Sequence, residues 1–440
     1  MVISMTFSAR SIARFFVFLL PAAVVFGSYA VLFRIPSQGD VNLQQLCLLC
    51  IVVFAALELA FRHSLTLHLG EAGGYAMVFI ILLVYATASL CWVENIQSAY
   101  SNAYLYILTG VGIVVILTAA VHDFHDMHIL LRVATAVYII VVALGIYEIF
   151  SGRYLLTQNP NALLYKNGYG LNFPYGPFYN MNDYATYVTM FLPFVAYETI
   201  CDLRGAKGKL ASCVLALAGI YTVLNANARL CYAALAVFIV GFFAALVAKK
   251  GLQRYLKPLF VAGVALIVAI LLLSSVGALN TGVLRSEVAS AGLPSHSGTE
   301  RAELTAAAMA MIPDSFFMGV GSGGSVLLVP YYSSLSPVNL HDMPLTIFTE
   351  YGIVVFGLYI GALLLLAIRF FCYKGAGARE KLWACICFGS ILSFQPASFA
   401  SSDTTHVTPL WIVIGLWLAF FKLLRDREKE TSDLKVKETA

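Results

Sequence analysis

Long apolar runs, each closed by a short polar break, recur along almost the whole chain. Runs of about 18–25 residues have the length that carries a helix across a hydrocarbon core. On that rule the pattern predicts twelve spans: 12–33, 44–61, 74–93, 103–121, 129–150, 183–199, 208–225, 231–248, 256–276, 343–368, 383–399 and 408–424. No internal repeat is evident. The predicted fold class is an all-α polytopic membrane protein, with 1–440 forming a single membrane domain. Two breaks are much longer than the rest, at 151–182 and 277–342, and 425–440 forms a polar tail.

Composition strengthens this picture. Of the 440 residues 60% are hydrophobic and 11% charged, and the mean hydropathy is +0.84. No soluble core absorbs so much apolar sequence. The first run lacks a small-residue cleavage pattern, so it reads as an uncleaved span and not a signal peptide. The cysteines lie in or beside apolar runs, and Cys385-x-Cys387 has no His or Cys partner at metal-ligand spacing. They are expected to be core- or lipid-facing thiols, with no disulfide, no metal site and no cofactor. A net charge of +4 does not point to nucleic acid here, because the charges are distributed by topology.

With the N-terminus placed in the cytoplasm, all but six of the 27 Lys and Arg residues fall on the cytoplasmic side. This asymmetry follows the positive-inside rule and predicts two cytoplasmic termini, with both long loops outside. The six exceptions are Arg34, Arg153, Lys166, Arg229, Arg285 and Arg301. Arg34 and Arg285 read as solvated or interfacial side chains. Arg153 and Lys166 sit among Asn, Gly, Tyr and Pro, a composition that suits either a sugar-contacting surface or an interfacial aromatic belt. Arg229 lies in a tight turn between two spans, at membrane depth on the outer side. A guanidinium there either snorkels or binds an anion, and its planar fork matches phosphate. Arg301 opens an Ala-rich helix with Thr299 as a candidate N-cap, followed by the Gly-rich stretch GVGSGG at 319–324. That stretch reads as a weak phosphate-cradle signal or as a flexible turn.

Residues 341–352 read HDMPLTIFTEYG. Asp342 can cap the following helix and Pro344 suits its first turn. His341 then stands before a helix N-terminus, whose positive end favours a neutral imidazole able to accept a proton. Capping or interfacial packing is the competing reading. Glu350 lies about 12 Å further along the helix at 1.5 Å per residue, where a carboxylate needs a partner such as an outer arginine.

Four ordered segments carry a resemblance: GPFYNMNDYATYVTMFLPF (176–194), Arg229 after its turn, Arg301 ahead of PDSFFMGVGSGG, and HDMPLTIFTEYGIVVFGLYIGALLLL (341–366). Together the chain resembles the O-antigen ligase/polymerase superfamily of bacterial polysaccharide assembly. It departs from that pattern in Asp342, where Asn or Ser is usual, and in lacking the frequent Ser or Gly before Arg229. The resemblance implies a metal-independent glycosyltransferase at the outer face of the inner membrane, with undecaprenyl-diphosphate glycan as donor. It implies Arg229 and Arg301 as diphosphate contacts and His341 as the base. Asn182 would orient a sugar or the lipid head, or simply cap its span, and Glu350 would support the same site. Asp403 and His406 are minor candidates in the last outer loop.

The expected partners are the lipid-linked donor, a saccharide acceptor and the bilayer, with a chain-length regulator as a further candidate and no nucleic acid. Polymerase is the first reading and ligation to lipid A-core the alternative. A transporter or flippase is disfavoured, because the unusual charge gathers at the outer edge and not at the midplane.

Overall fold

The computed structural model describes residues 9–27, 31–35, 39–62, 68–157, 172–203, 205–250, 296–375, 377–401 and 407–439. They form a helical bundle: α1 (Ala9–Phe26), α2 (Leu43–Arg62), α3 (Gly73–Ser89), α4 (Leu105–Ala120), α5 (Phe124–Ser151), α6 (Met181–Leu203), α7 (Gly205–Asn225), α8 (Arg229–Lys250), α9 (His296–Asp314), α10 (Gly324–Tyr332), α11 (Met343–Cys372), α12 (Ala378–Ala400) and α13 (Pro409–Thr439). Among the described residues, six segments are long and apolar enough to cross a membrane: Gly70–Ser89, Phe124–Ser151, Gly205–Asn225, Arg229–Lys249, Met343–Cys372 and Ala378–Ala400. Ile12–Phe26, Leu43–Phe54 and Leu105–Ala120 are apolar but shorter. The chain is a multi-pass membrane protein. The span expected at 256–276 lies outside the described residues.

One expectation needs correction. The apolar run at 12–33 is not one helix, because α1 ends at Phe26 and Val31–Ile35 pairs antiparallel with Gly39–Asn42 as strands β1 and β2. The segment VLFRI is rich in β-branched and aromatic residues that suit a strand, so apolar length alone overran the helix end. An all-α description therefore omits a short β-ribbon. The span expected at 343–368 is present within Met343–Cys372, with a kink. Gly352 breaks α11 with φ 76° and ψ 177°, leaving a buried half-helix, Met343–Tyr351, ahead of the longer segment. The tail at 425–440 continues α13 as helix as far as Thr439.

Two further helices, α6 and α13, are too polar in composition to join the six apolar segments, and both are deeply buried. Residues 407–424 are buried without a break, as are 183–192 on α6, so both helices run through the interior and see little lipid. Helices in lipid gain no hydrophobic drive from meeting each other; close packing and buried polar contacts hold them. At Gly110 a Cβ would lie 2.2 Å from the Trp411 ring, so this glycine lets α4 and α13 approach closely.

The bundle has two chemically different ends. At one end, ion pairs join Arg14 to Asp126, Arg132 to Asp202, and Arg425 to Glu71 and Glu428. Lys249 Nζ there donates to the carbonyls of Phe370, Phe371 and Tyr373, satisfying orphan acceptors at the end of α11. The opposite end gathers the candidate residues.

Candidate functional site

The glycine stretch 319–324 wedges against the break in α11. Gly352 lies in the left-handed φ region, and a Cβ there would sit 2.5 Å from the Phe317 carbonyl oxygen. Gly319, with φ 89°, is equally obligatory, since its Cβ would lie 2.4 Å from the Glu350 carbonyl oxygen. Each amide of the stretch has an acceptor. Gly319 donates to Ser315 Oγ (3.3 Å), Ser322 to Ser89 Oγ (3.0 Å) and Gly323 to Glu350 Oε2 (2.9 Å). Val320 donates to the Thr349 carbonyl (2.9 Å), Gly321 to that of Glu350 (2.9 Å) and Gly324 to that of Gly321 (3.0 Å). Glu350 also accepts from Ser325 Oγ at 2.6 Å. The stretch is thus neither a phosphate cradle, with its donors committed, nor a loose turn. Glu350, 2% exposed, bonds the loop to the half-helix, and irregular backbone at membrane depth is tolerated because it is buried and bonded in this way.

Above the lock, His341 precedes the half-helix with φ 58°. A left-handed conformation costs a non-glycine residue on the order of 1–2 kcal/mol, so packing around the helix start must hold it. Asp342 occupies the N-cap position with extended backbone, and its carbonyl accepts from Thr346 N and Oγ1, each at 2.8 Å. Its buried carboxylate makes no regular cap bond and faces Gln395 Nε2 at 3.4 Å. Burial pushes this carboxyl up to about 6, against the pull of the Leu345 amide and Gln395.

A chain of contacts runs from there across four more helix ends. Thr186 Oγ1 on α6 donates to the Ala397 carbonyl on α12 (3.3 Å) and lies 3.6 Å from Cys231 Sγ on α8. Ser401, just past α12, donates to Asp183 Oδ1 at 2.7 Å. Cys231 is within electrostatic reach of both Asp183 and Arg301. Burial draws the Arg301 guanidinium down from its ordinary value, opposed by Cys231 and Glu300. Arg229, the first residue of α8, is exposed beside a turn in which Asn227 adopts φ 56°.

His341, Arg229 and Arg301 therefore reach one end of the bundle through mutually packed elements. Glu350 lies below them in the glycine lock. Asn182 is half-buried at the start of α6, where its backbone N–H donates to Asn180 Oδ1 at 2.8 Å. Arg153 is exposed. Lys166, Arg285, Asp403 and His406 lie outside the described residues, and Arg34 is described only as a β1 backbone position. The sequence reading passed over Asp183, the more buried neighbour of Asn182. A carboxylate at the very start of an apolar run was its available signal. Gln395 carried no signal, because only the fold brings it to Asp342. A cavity of about 500 Å³ lies further along the same end, lined by Trp92, Phe316, Met318, Val320 and Leu328 with Glu94 at its polar side.

Residues 213–360 match the family model described as O-antigen ligase. The chain is also 23% identical over 373 residues to the teichuronic acid biosynthesis protein TuaE of Bacillus subtilis (strain 168), covering 81% of this chain and 73% of that protein. The matched stretch contains Arg229, Arg301, His341 and Glu350, and on these findings the chain is similar to the O-antigen ligase/polymerase superfamily of polysaccharide biosynthesis.

Proposed function

We propose that the protein is an inner-membrane glycosyltransferase that moves a glycan from undecaprenyl diphosphate to an acceptor saccharide at the periplasmic face. The observation that carries this reading is that His341 at a buried half-helix start, Arg229 as the first residue of α8 and Arg301 in the second turn of α9 all reach the same end of the bundle. The positive end of a half-helix favours anionic groups. Two guanidiniums at the same end of the bundle suit a diphosphate, whose charge grows as the glycosyl bond breaks. The acceptor hydroxyl attacks the anomeric carbon, the bond to the diphosphate oxygen breaks, and His341 takes the hydroxyl proton. Asn182 would orient a sugar at the start of α6, and Glu350 would support the site by keeping the half-helix in place. The reaction needs no metal in this scheme. The twelve-span topology, with both termini cytoplasmic, completes the proposal.

The acceptor class has two readings. The relative's name, a protein of teichuronic acid biosynthesis, favours a polymerase of O-antigen or exopolysaccharide. The description of the matching family, O-antigen ligase, favours transfer to lipid A-core. Deletion separates them: loss of a polymerase leaves at most one repeat unit on the acceptor, whereas loss of a ligase leaves lipid-linked polymer of normal length. For the chemistry, His341→Ala should lower transfer by about 10²–10⁴-fold in the purified protein with undecaprenyl-diphosphate glycan, and Arg229→Ala should do likewise. Full transfer by both variants would refute the assignment.

A further inference from the structure

The cavity lined by Trp92, Glu94, Phe316 and Leu328 takes no part in the chemistry proposed above. Its volume of about 500 Å³ falls within the roughly 300–1,000 Å³ of small-molecule sites. Two polar side chains of the lining are committed to the fold. Trp92 Nε1 donates to the Gly319 carbonyl at 3.3 Å. Ser315 Oγ donates to the Ile312 carbonyl at 2.9 Å and accepts from Gly319 N at 3.3 Å. Glu94 differs. It is exposed and is the charged side chain of the lining, and among the described residues its carboxylate has no hydrogen bond and no ion pair.

The aromatic walls are held in place. Trp92 packs edge-on against Tyr85, with centroids 5.7 Å apart and planes at 77°, yet stays 46% exposed. A Cβ on Gly321 would lie 2.5 Å from Val93 Cγ1, so the segment bearing Trp92 and Glu94 docks directly on the glycine stretch. Phe316 sits in a turn closed by backbone bonds: its amide donates to the Pro313 carbonyl (2.9 Å), Phe317 N to that of Ile312 (3.0 Å) and Met318 N to that of Ser315 (3.0 Å). Tyr85 OH donates to the Met318 carbonyl at 2.6 Å. The Phe316 side chain is nevertheless 86% exposed. Asp314, next to the lining, accepts from Tyr332 OH at 2.8 Å and adds negative charge.

An anion would meet Glu94 with no basic residue in the lining to offset it. A neutral saccharide needs several hydroxyl partners, and the fold has already taken Trp92 Nε1 and Ser315 Oγ. A divalent metal ion needs more oxygen ligands than one carboxylate supplies. An organic ammonium group needs only a carboxylate and aromatic faces, because ring quadrupoles attract cations and the indole does so most strongly. We infer that this cavity binds a primary ammonium group, paired with Glu94 and seated against the Trp92 and Phe316 rings. Two sources carry that group: an amino sugar of a glycan and the ethanolamine headgroup of a phospholipid. Binding of either needs no turnover, so the site is testable independently of glycosyl transfer.

Trp92 offers a direct readout, because it is exposed while Trp383, Trp411 and Trp417 are buried. Full-length protein in phosphatidylglycerol nanodiscs is titrated with glucosamine and with glucose, and a parallel series of nanodiscs carries a rising fraction of phosphatidylethanolamine. The fluorescence absent from Trp92→Phe is taken as that of Trp92. The expected result is a saturable change with glucosamine, with phosphatidylethanolamine or with both, weakened at least tenfold in Glu94→Gln, and none with glucose. Glu94 is exposed and bonded to no other described residue, so that variant keeps the fold. The amine that saturates identifies the source. An equal response to glucose, no saturable response to either amine, or undiminished binding by Glu94→Gln would overturn the assignment.

Discussion

At Gly352 a single backbone conformation decides whether the site can exist. Its φ of 76° is open to glycine but strained for alanine, at a cost of order 1–3 kcal/mol. The Cβ would also collide with Phe317 and Met318 backbone. Gly352→Ala should therefore lower the thermal midpoint of the detergent-solubilised protein by at least the amount that strain implies, and a midpoint equal to wild type would mean that the break is dispensable. Asp342 makes a second claim at this scale. Burial raises its pKa from an ordinary 3.8 to about 6, so between those values the folded state binds more protons than the unfolded one. Stability should then fall as pH rises through that window, by linkage. Asp342→Asn should flatten this slope, as read by unfolding midpoints at pH 4 and pH 7. An unchanged slope would show that another group titrates there.

Elements were legible from apolar length to different degrees. The helices at 44–61, 129–150, 208–225 and 231–248 emerged within a few residues of α2, α5, α7 and α8, because uniform apolar runs specify helix in lipid. The β-ribbon was hidden because VLFRI is as apolar as a helix end. The break in α11 was hidden too, because a lone glycine in an apolar run carries no mark of its φ; the Phe317 and Met318 backbone that forces it stands some 35 positions away. The same distance dependence governs the site. Arg229, Arg301 and His341 could be picked out as charges in improbable places, whereas Asp183 with Ser401, or Asp342 with Gln395, become pairs only once α6, α11 and α12 are packed together. Glu350 was noticed correctly as a carboxylate needing partners, but its identified donors, Gly323 and Ser325, come from a loop that the sequence alone left open.

For the whole molecule, the two ends of the bundle make topology measurable. Cys91 is exposed at the end that carries the candidate site, and Cys372 is exposed at the end where Lys249 caps α11. In variants retaining one of these thiols, a membrane-impermeant maleimide added to spheroplasts should label Cys91 and spare Cys372. The reverse pattern would turn the protein over. The glycine stretch 319–324 has a further consequence at this scale, because it is where α3, α9 and α11 are joined. Connecting segments ordinarily tolerate added length at little cost. Here the order of residues works like the bitting of a key: each amide from 319 to 324 has its own address on Ser315, Ser89, Gly321, Thr349 or Glu350. One extra glycine after Ser322 would put later donors out of step without removing a single atom from the protein. Such an insertion should abolish transfer as completely as His341→Ala, in a purified-protein assay, while the same insertion at an exposed position such as Ser336 should be tolerated. The segment richest in glycine is thus the one whose length the molecule can least afford to change.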